Sequence, residues 1–235
     1  VLGPVIAREL QLADNALGLL TSTYFLAFGA AQLPLGMLLD RYGPRRVEAG
    51  LLLIAAAGAC VFALSDALGG LAIGRALIGL GVSACLMASF KAFVQWFPPE
   101  RQASLTGWVM ASGGLGALTA SKPLEMTLAI AGWREIVFAL AVITLLVAAA
   151  LFFFVPDKQE ASSAGGFLEQ MAGVRSIFGS AHFWRYGPMG LVFTGGFMAV
   201  QGLWASRWMS VLEGIDGAGI AARLTLISGA MLAGF

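Results

Sequence analysis

The chain has 235 residues, of which 59% belong to the set AVILMFWYC and 11% are charged, with a formal net charge of +1. A soluble domain carries roughly a quarter charged residues and must present a wet surface, so a composition this apolar belongs in a bilayer. The near-zero net charge excludes the electrostatic footprint of a nucleic-acid binder.

Val1 to Ala7 is apolar without a basic leader or cleavage site, and reads as the tail of an earlier span. The chain opens without Met and stops inside an apolar run at Phe235, so both ends read as cut. About 20 apolar residues are needed to cross the hydrocarbon core as a helix. Runs of that length stand at roughly 16–39, 47–66, 69–94, 103–124, 133–155 and 185–208, and another opens near 220. Runs this long and continuous are helices, because backbone groups in lipid must be satisfied within their own segment. The 31 glycines suit helices packed backbone to backbone. Cys60 and Cys85 lie inside apolar runs without metal-ligand spacing and read as small core residues.

The connectors alternate in character. Asp40 to Arg46 is basic, Pro98 to Arg101 is a polar turn, and the segment from Pro156 to Trp184 carries Lys158, Arg175 and His182. On the other side, Arg8 is offset by Glu9 and Asp14, Ser65-Asp66 has no cation, and Arg134 stands beside Glu135. The positive-inside rule places the first set in the cytoplasm. Gln159 to Gly166 is a flexible polar stretch, and Ile177 to Trp184 is read either as an amphipathic surface segment or as solvated linker. The domains expected are a six-helix bundle over 1–155 with its first helix truncated, a linker over 156–184, and the start of a second bundle over 185–235.

Gly36-Met37-Leu38-Leu39-Asp40-Arg41-Tyr42-Gly43-Pro44-Arg45-Arg46 has a physical reading residue by residue. Gly36 admits a neighbouring helix, Asp40 stands where a helix C-terminus prefers a cation and so needs a partner, Gly43 supplies the turn, and Arg45 and Arg46 supply charge. This string resembles the signature of the Major Facilitator Superfamily between its second and third helices, with Pro44 in place of the usual basic residue. The resemblance implies that Gly36, Asp40, Arg41, Gly43, Arg45 and Arg46 form a cytoplasmic gate; a topogenic basic loop is the alternative. Arg75 followed by Gly79-Leu80-Gly81 resembles that family's fourth helix, and Gly132-Trp133-Arg134 resembles the entry to its sixth. The three matches fall in order between about 36 and 135. They imply an all-α integral membrane bundle, with about seven of an expected twelve spans visible.

An Arg inside hydrocarbon costs a few kcal/mol unless it meets a partner or water; Arg75 is read as facing a cavity, with snorkelling as the alternative. Gly79, Gly81, Gly113 and Gly114 are read as packing positions. Lys122 and Glu125, around Pro123 at the outer end of the fifth span, either line the cavity or snorkel. Phe193, Phe197, Gln201, Trp204 and Trp208 share a helical face that would contact an organic substrate, or else anchor at the interface. Tyr24 and Gln32 are candidate cavity residues, and Glu48 and Glu125 are read as peripheral. The resemblance implies secondary transport by alternating access in a multi-pass protein of the inner (plasma) membrane of a bacterium, expected to be monomeric. The basic residues, and a glycine-rich fifth span without the Gly-Pro pair usual in the family's drug antiporters, favour a small organic anion. An ion, with a proton as one candidate, would be coupled to it. A transporter-like sensor that binds without flux is the alternative. No cofactor, metal or enzymatic motif is expected, and residues 1–235 alone are not expected to transport.

Overall fold

Apolar sequence at helical length folds as helix, and among the described residues there is no strand. The computed structural model describes residues 2–13, 15–120, 122–156, 173, 175–200, 204–215 and 217–234. Asp14, the 159–166 stretch and Gln201 lie outside the described residues. The chain divides into two compact units, Val1–Ser162 with Ser228–Phe235, and Ser163–Ile227.

The first unit opens with α1 (Leu2–Glu9). The next helix, α2 (Ala16–Leu64), is helical over 49 residues save at Gly43, where φ is 78° and ψ is 161°. That conformation belongs to glycine, and it reverses the chain. Leu20 packs in one cluster with Phe62 and Ala63, although a straight helix would hold residues 20 and 62 about 63 Å apart. Leu35 and Leu39 pack similarly with Val47 near the turn. The element is therefore an antiparallel hairpin with arms 16–42 and 44–64. The loop expected between the second and third spans shrinks to one residue. Pro44 opens the second arm, where its fixed φ suits a first helical turn and its missing N–H costs nothing.

The span expected over 69–94 is interrupted. It comprises α3 (Leu68–Gly81) and α4 (Cys85–Trp96), separated at Val82 to Ala84. The Ser83 hydroxyl donates to the Leu80 carbonyl at 2.7 Å, and the Ser83 N–H donates to that same carbonyl at 3.3 Å. Both bonds replace the regular i→i−4 ladder and tighten the turn. The span expected over 103–124 stops early as well: α5 (Pro99–Thr119) ends before α6 (Lys122–Leu128). Pro123 supplies the reason, since a helix running through it would lose a backbone donor and clash with the preceding turn. Lys122 and Glu125 therefore ride on a separate short helix, not on the fifth span. The last helix of this unit's continuous run, α7 (Trp133–Phe154), matches the sixth expected span.

Glycines set the closest approaches. A methyl group on Gly79 would lie 2.3 Å from the Tyr24 carbonyl oxygen, and one on Gly81 would lie 2.4 Å from the Ala55 nitrogen. Gly58 and Gly74 meet Ile78 and Phe62 backbone in the same way. Both arms of α2 thus press against α3. Gly36 and Gly113, expected to pack, meet nothing within 4 Å, because the neighbours they face in this unit are farther away; Gly114 is buried.

In the second unit, α8 (Ala181–Ala199) contains Pro188 and is followed by α9 (Ala205–Leu212) and the start of α10 (Gly217–Gly234). Among the described residues, three helical stretches are long and apolar enough to cross a membrane: Ala16–Leu64, Leu68–Trp96 and Trp133–Phe154.

Candidate functional site

The packing of α3 into the α2 hairpin fixes an internal line of polar side chains. Arg75 lies one turn before Gly79, so the close approach that glycine permits carries Arg75 toward the first arm. Its guanidinium stands 4.8 Å over the Phe62 ring and within electrostatic reach of the Tyr24 hydroxyl. Its Nε is buried and has no hydrogen-bond partner. Tyr24 is held in turn by Phe25 and Phe28, with ring centroids 5.1 and 6.3 Å away. A guanidinium with a donor to spare, set among aromatic rings, can form charge-assisted bonds to an anion that are stronger than neutral ones.

Gln32, two turns along the same arm, donates from Nε2 to the Ser83 carbonyl at 3.3 Å. That carbonyl is freed by the interruption between α3 and α4, so Gln32 braces the break. On the second arm, Glu48 is only 8% exposed. Its side chain lies beside Cys85, the first residue of α4, while Oε2 is buried without a partner. The peripheral position expected for Glu48 is therefore corrected. Glu48 shares a helical face with buried Leu52, Ala55 and Ala59. That periodicity was the signal that could have found it.

The signature string is tied down at the Gly43 end. Asp40 at the end of the first arm pairs with Lys91 on α4. Arg45 donates from Nη1 to the Val155 carbonyl at 3.1 Å, at the C-terminus of α7 where a cation is favoured by the helix dipole. It also lies 5.5 Å over the Phe152 ring, while Arg41 stands 5.5 Å over Tyr42. Two open grooves flank exposed Arg46 along the second arm. Lys91 was not singled out in the sequence; its place on the Ala84–Ala88 face of α4 marks it.

At the opposite end, Arg134 gathers three connectors. It reaches Glu9 at 2.6 Å, Asp66 at 2.5 Å and the Ser65 carbonyl at 3.4 Å, and stands 4.3 Å over the Trp133 ring. The Trp133 Nε1 donates to Glu9 at 2.8 Å. Its indole is 2% exposed and meets Phe62 edge-on.

Lys122 is exposed at the start of α6, and among the described residues no contact brings it to Arg75. Phe193, Trp204 and Trp208 are exposed in the second unit; Phe197 lies on α8. Among the described residues, no three metal-ligating side chains converge.

The chain matches the Major Facilitator Superfamily over residues 1–235. It is 27% identical over 167 residues to a probable sulfoacetate transporter of Cupriavidus necator, a stretch covering 70% of the chain and 39% of that protein. Over 150 residues it is 28% identical to a probable L-galactonate transporter of Escherichia coli K12, covering 61% and 32% respectively. Over 112 residues it is 31% identical to a nitrate/nitrite transporter of Picosynechococcus, covering 48% and 21%. The matched stretches span at most about two fifths of these relatives.

Proposed function

The chain belongs to the Major Facilitator Superfamily, and from that premise we propose that it forms the N-terminal part of a secondary transporter for a small organic anion. The observation that carries the anion is Arg75, a guanidinium inside a membrane-spanning segment with a buried, unpaired Nε and aromatic rings around it. A cation in that setting needs an anionic partner or water. Sulfoacetate, galactonate and nitrate, named for the relatives, are all anions, and a single well-placed guanidinium suits carboxylate, sulfonate and nitrate alike. Tyr24 would add a hydroxyl beside the same ligand.

Transport would run by alternating access, two bundles rocking about the Arg75 level with ligand binding shifting their balance. The Asp40–Lys91 pair and the Arg45–Val155 tie, at the end read as cytoplasmic, would hold that side shut while the cavity faces out. Ion coupling, a monomeric state and residence in a bacterial inner membrane belong to the same proposal, and no enzymatic step is part of it.

The test is uptake by the full-length protein containing this sequence, reconstituted in proteoliposomes and offered labelled organic anions beside neutral analogues, with and without a proton gradient. Saturable anion uptake is expected, with Arg75→Gln lowering kcat/KM roughly 10- to 100-fold, the loss of one charged hydrogen bond. Uptake of neutral solutes only, or uptake indifferent to Arg75→Gln, would overturn the anion reading. Binding without flux would favour a sensor.

A further inference from the structure

We propose that Glu48, behind the Gly43 turn and at the N-terminus of the second half of the broken fourth span, is a proton-binding site of this protein. Three independent observations meet there. Glu48 is 8% exposed, with Oε2 buried and unpartnered. The helix α4, 12 residues long, begins at Cys85, whose side chain lies beside Glu48. The break before it leaves the first N–H groups of α4 without a continuous helix behind them, and the positive end of a helix dipole favours a carboxylate. The surroundings are otherwise apolar: Leu35, Leu39, Val47, Ala84 and Ala88 form one buried cluster at this level.

An ionised carboxylate set among such groups needs a full complement of partners, and Glu48 Oε2 has none. A carboxyl that gains and loses a proton satisfies the site in both states: as the acid, in apolar packing, and as the anion, when water reaches Oε2. The exchange is one proton between the Glu48 oxygen and cytoplasmic water; only the O–H bond forms or breaks.

The charged groups nearest to Glu48 are few, and exposed Arg46 stands two residues before it on the same arm. On α4, Cys85 makes the contact, and Lys91 is spent on Asp40 of the first arm. Tyr24 of that arm faces Cys85 and Arg75. On its own arm, Arg45 is engaged with the Val155 carbonyl. The α7 helix carries no charged residue after Glu135. The site's part in coupling rests on the transport reading; its proton chemistry does not.

The decisive experiment labels the full-length protein in detergent with a hydrophobic carbodiimide, which reacts with protonated buried carboxyls, and locates the adduct by mass spectrometry across a pH series. Glu48 is expected to label, with yield falling about tenfold per pH unit once the acid ionises, and Glu48→Gln is expected to lose the adduct. Cys85→Ala keeps the carboxyl and removes the thiol beside it; the labelling midpoint should move. An unlabelled Glu48 at every pH, or labelling that ignores both pH and Cys85→Ala, would overturn the proposal. Anion transport that persists with an unreactive Glu48 would leave the transport reading standing alone, and a labelled Glu48 in a protein that moves no anion would do the reverse.

Discussion

At the residue scale, glycines that look alike in the sequence separate sharply by what stands opposite them. Gly79→Ala and Gly81→Ala place a methyl against backbone at 2.3 and 2.4 Å. Each is expected to cost about 1–3 kcal/mol, seen as a lower midpoint in thermal unfolding in detergent. Gly36→Ala and Gly113→Ala meet open space in this unit, and there the better helix propensity of alanine should stabilise by about 0.5–1 kcal/mol in the same measurement. Gly43→Ala should cost about 1–3 kcal/mol for a different reason, strain at φ 78° and ψ 161°. The sequence alone assigned packing roles to Gly36 and Gly113, because spacing reports which face a glycine is on but not what faces it. Glu48 follows the same logic: its place on the helical face of Leu52, Ala55 and Ala59 buries it, although it stands five residues from the Gly43 turn.

At the element scale, long apolar runs were legible because a helix that must satisfy its own backbone in lipid leaves few alternatives. The spans over 16–39, 47–66 and 133–155 appear nearly where hydropathy puts them. The interruption at Val82 to Ala84 was invisible to hydropathy, since a break changes hydrogen bonding without changing apolarity. Its signature is the side-chain donor that repairs it. Gln32→Ala leaves the Ser83 carbonyl without its donor and should cost about 1 kcal/mol in unfolding midpoint, in the range of interhelical hydrogen bonds in membranes. Arg134 shows the same limit for charge. Its neighbours Glu9 and Asp66 lie 125 and 68 residues away, so no local rule pairs them. Arg134→Ala should cost roughly 1 kcal/mol, less at high salt, because the ion pairs are partly exposed. Trp133→Ala, emptying a buried site, should cost about 3 kcal/mol or more.

At the scale of the whole molecule, the middle of α7 turns small side chains inward and large ones outward. On α7, Ala141 and Ala148 face the interior while Leu140, Ile143 and Leu146 are about half exposed or more, the arrangement expected where the exterior solvent is lipid. Leu146→Arg should therefore impair membrane insertion by about 2.5–3.5 kcal/mol in a translocon assay, whereas the same change on a water-facing surface would be silent. The broken fourth span has a mechanical consequence. Upstream of the break, α3 is wedged between the two arms by glycine contacts; downstream, α4 buries only Ala88 along its length. Twelve residues make a rod about 18 Å long, and pivoting it by about 10° at Ser83 swings its far end by roughly 3 Å. Asp40 and Lys91 meet halfway along the rod, about 12 Å from Ser83, where the same pivot moves Lys91 by roughly 2 Å, enough to part the pair. The joint thus turns a gradual change of angle into an all-or-nothing latch.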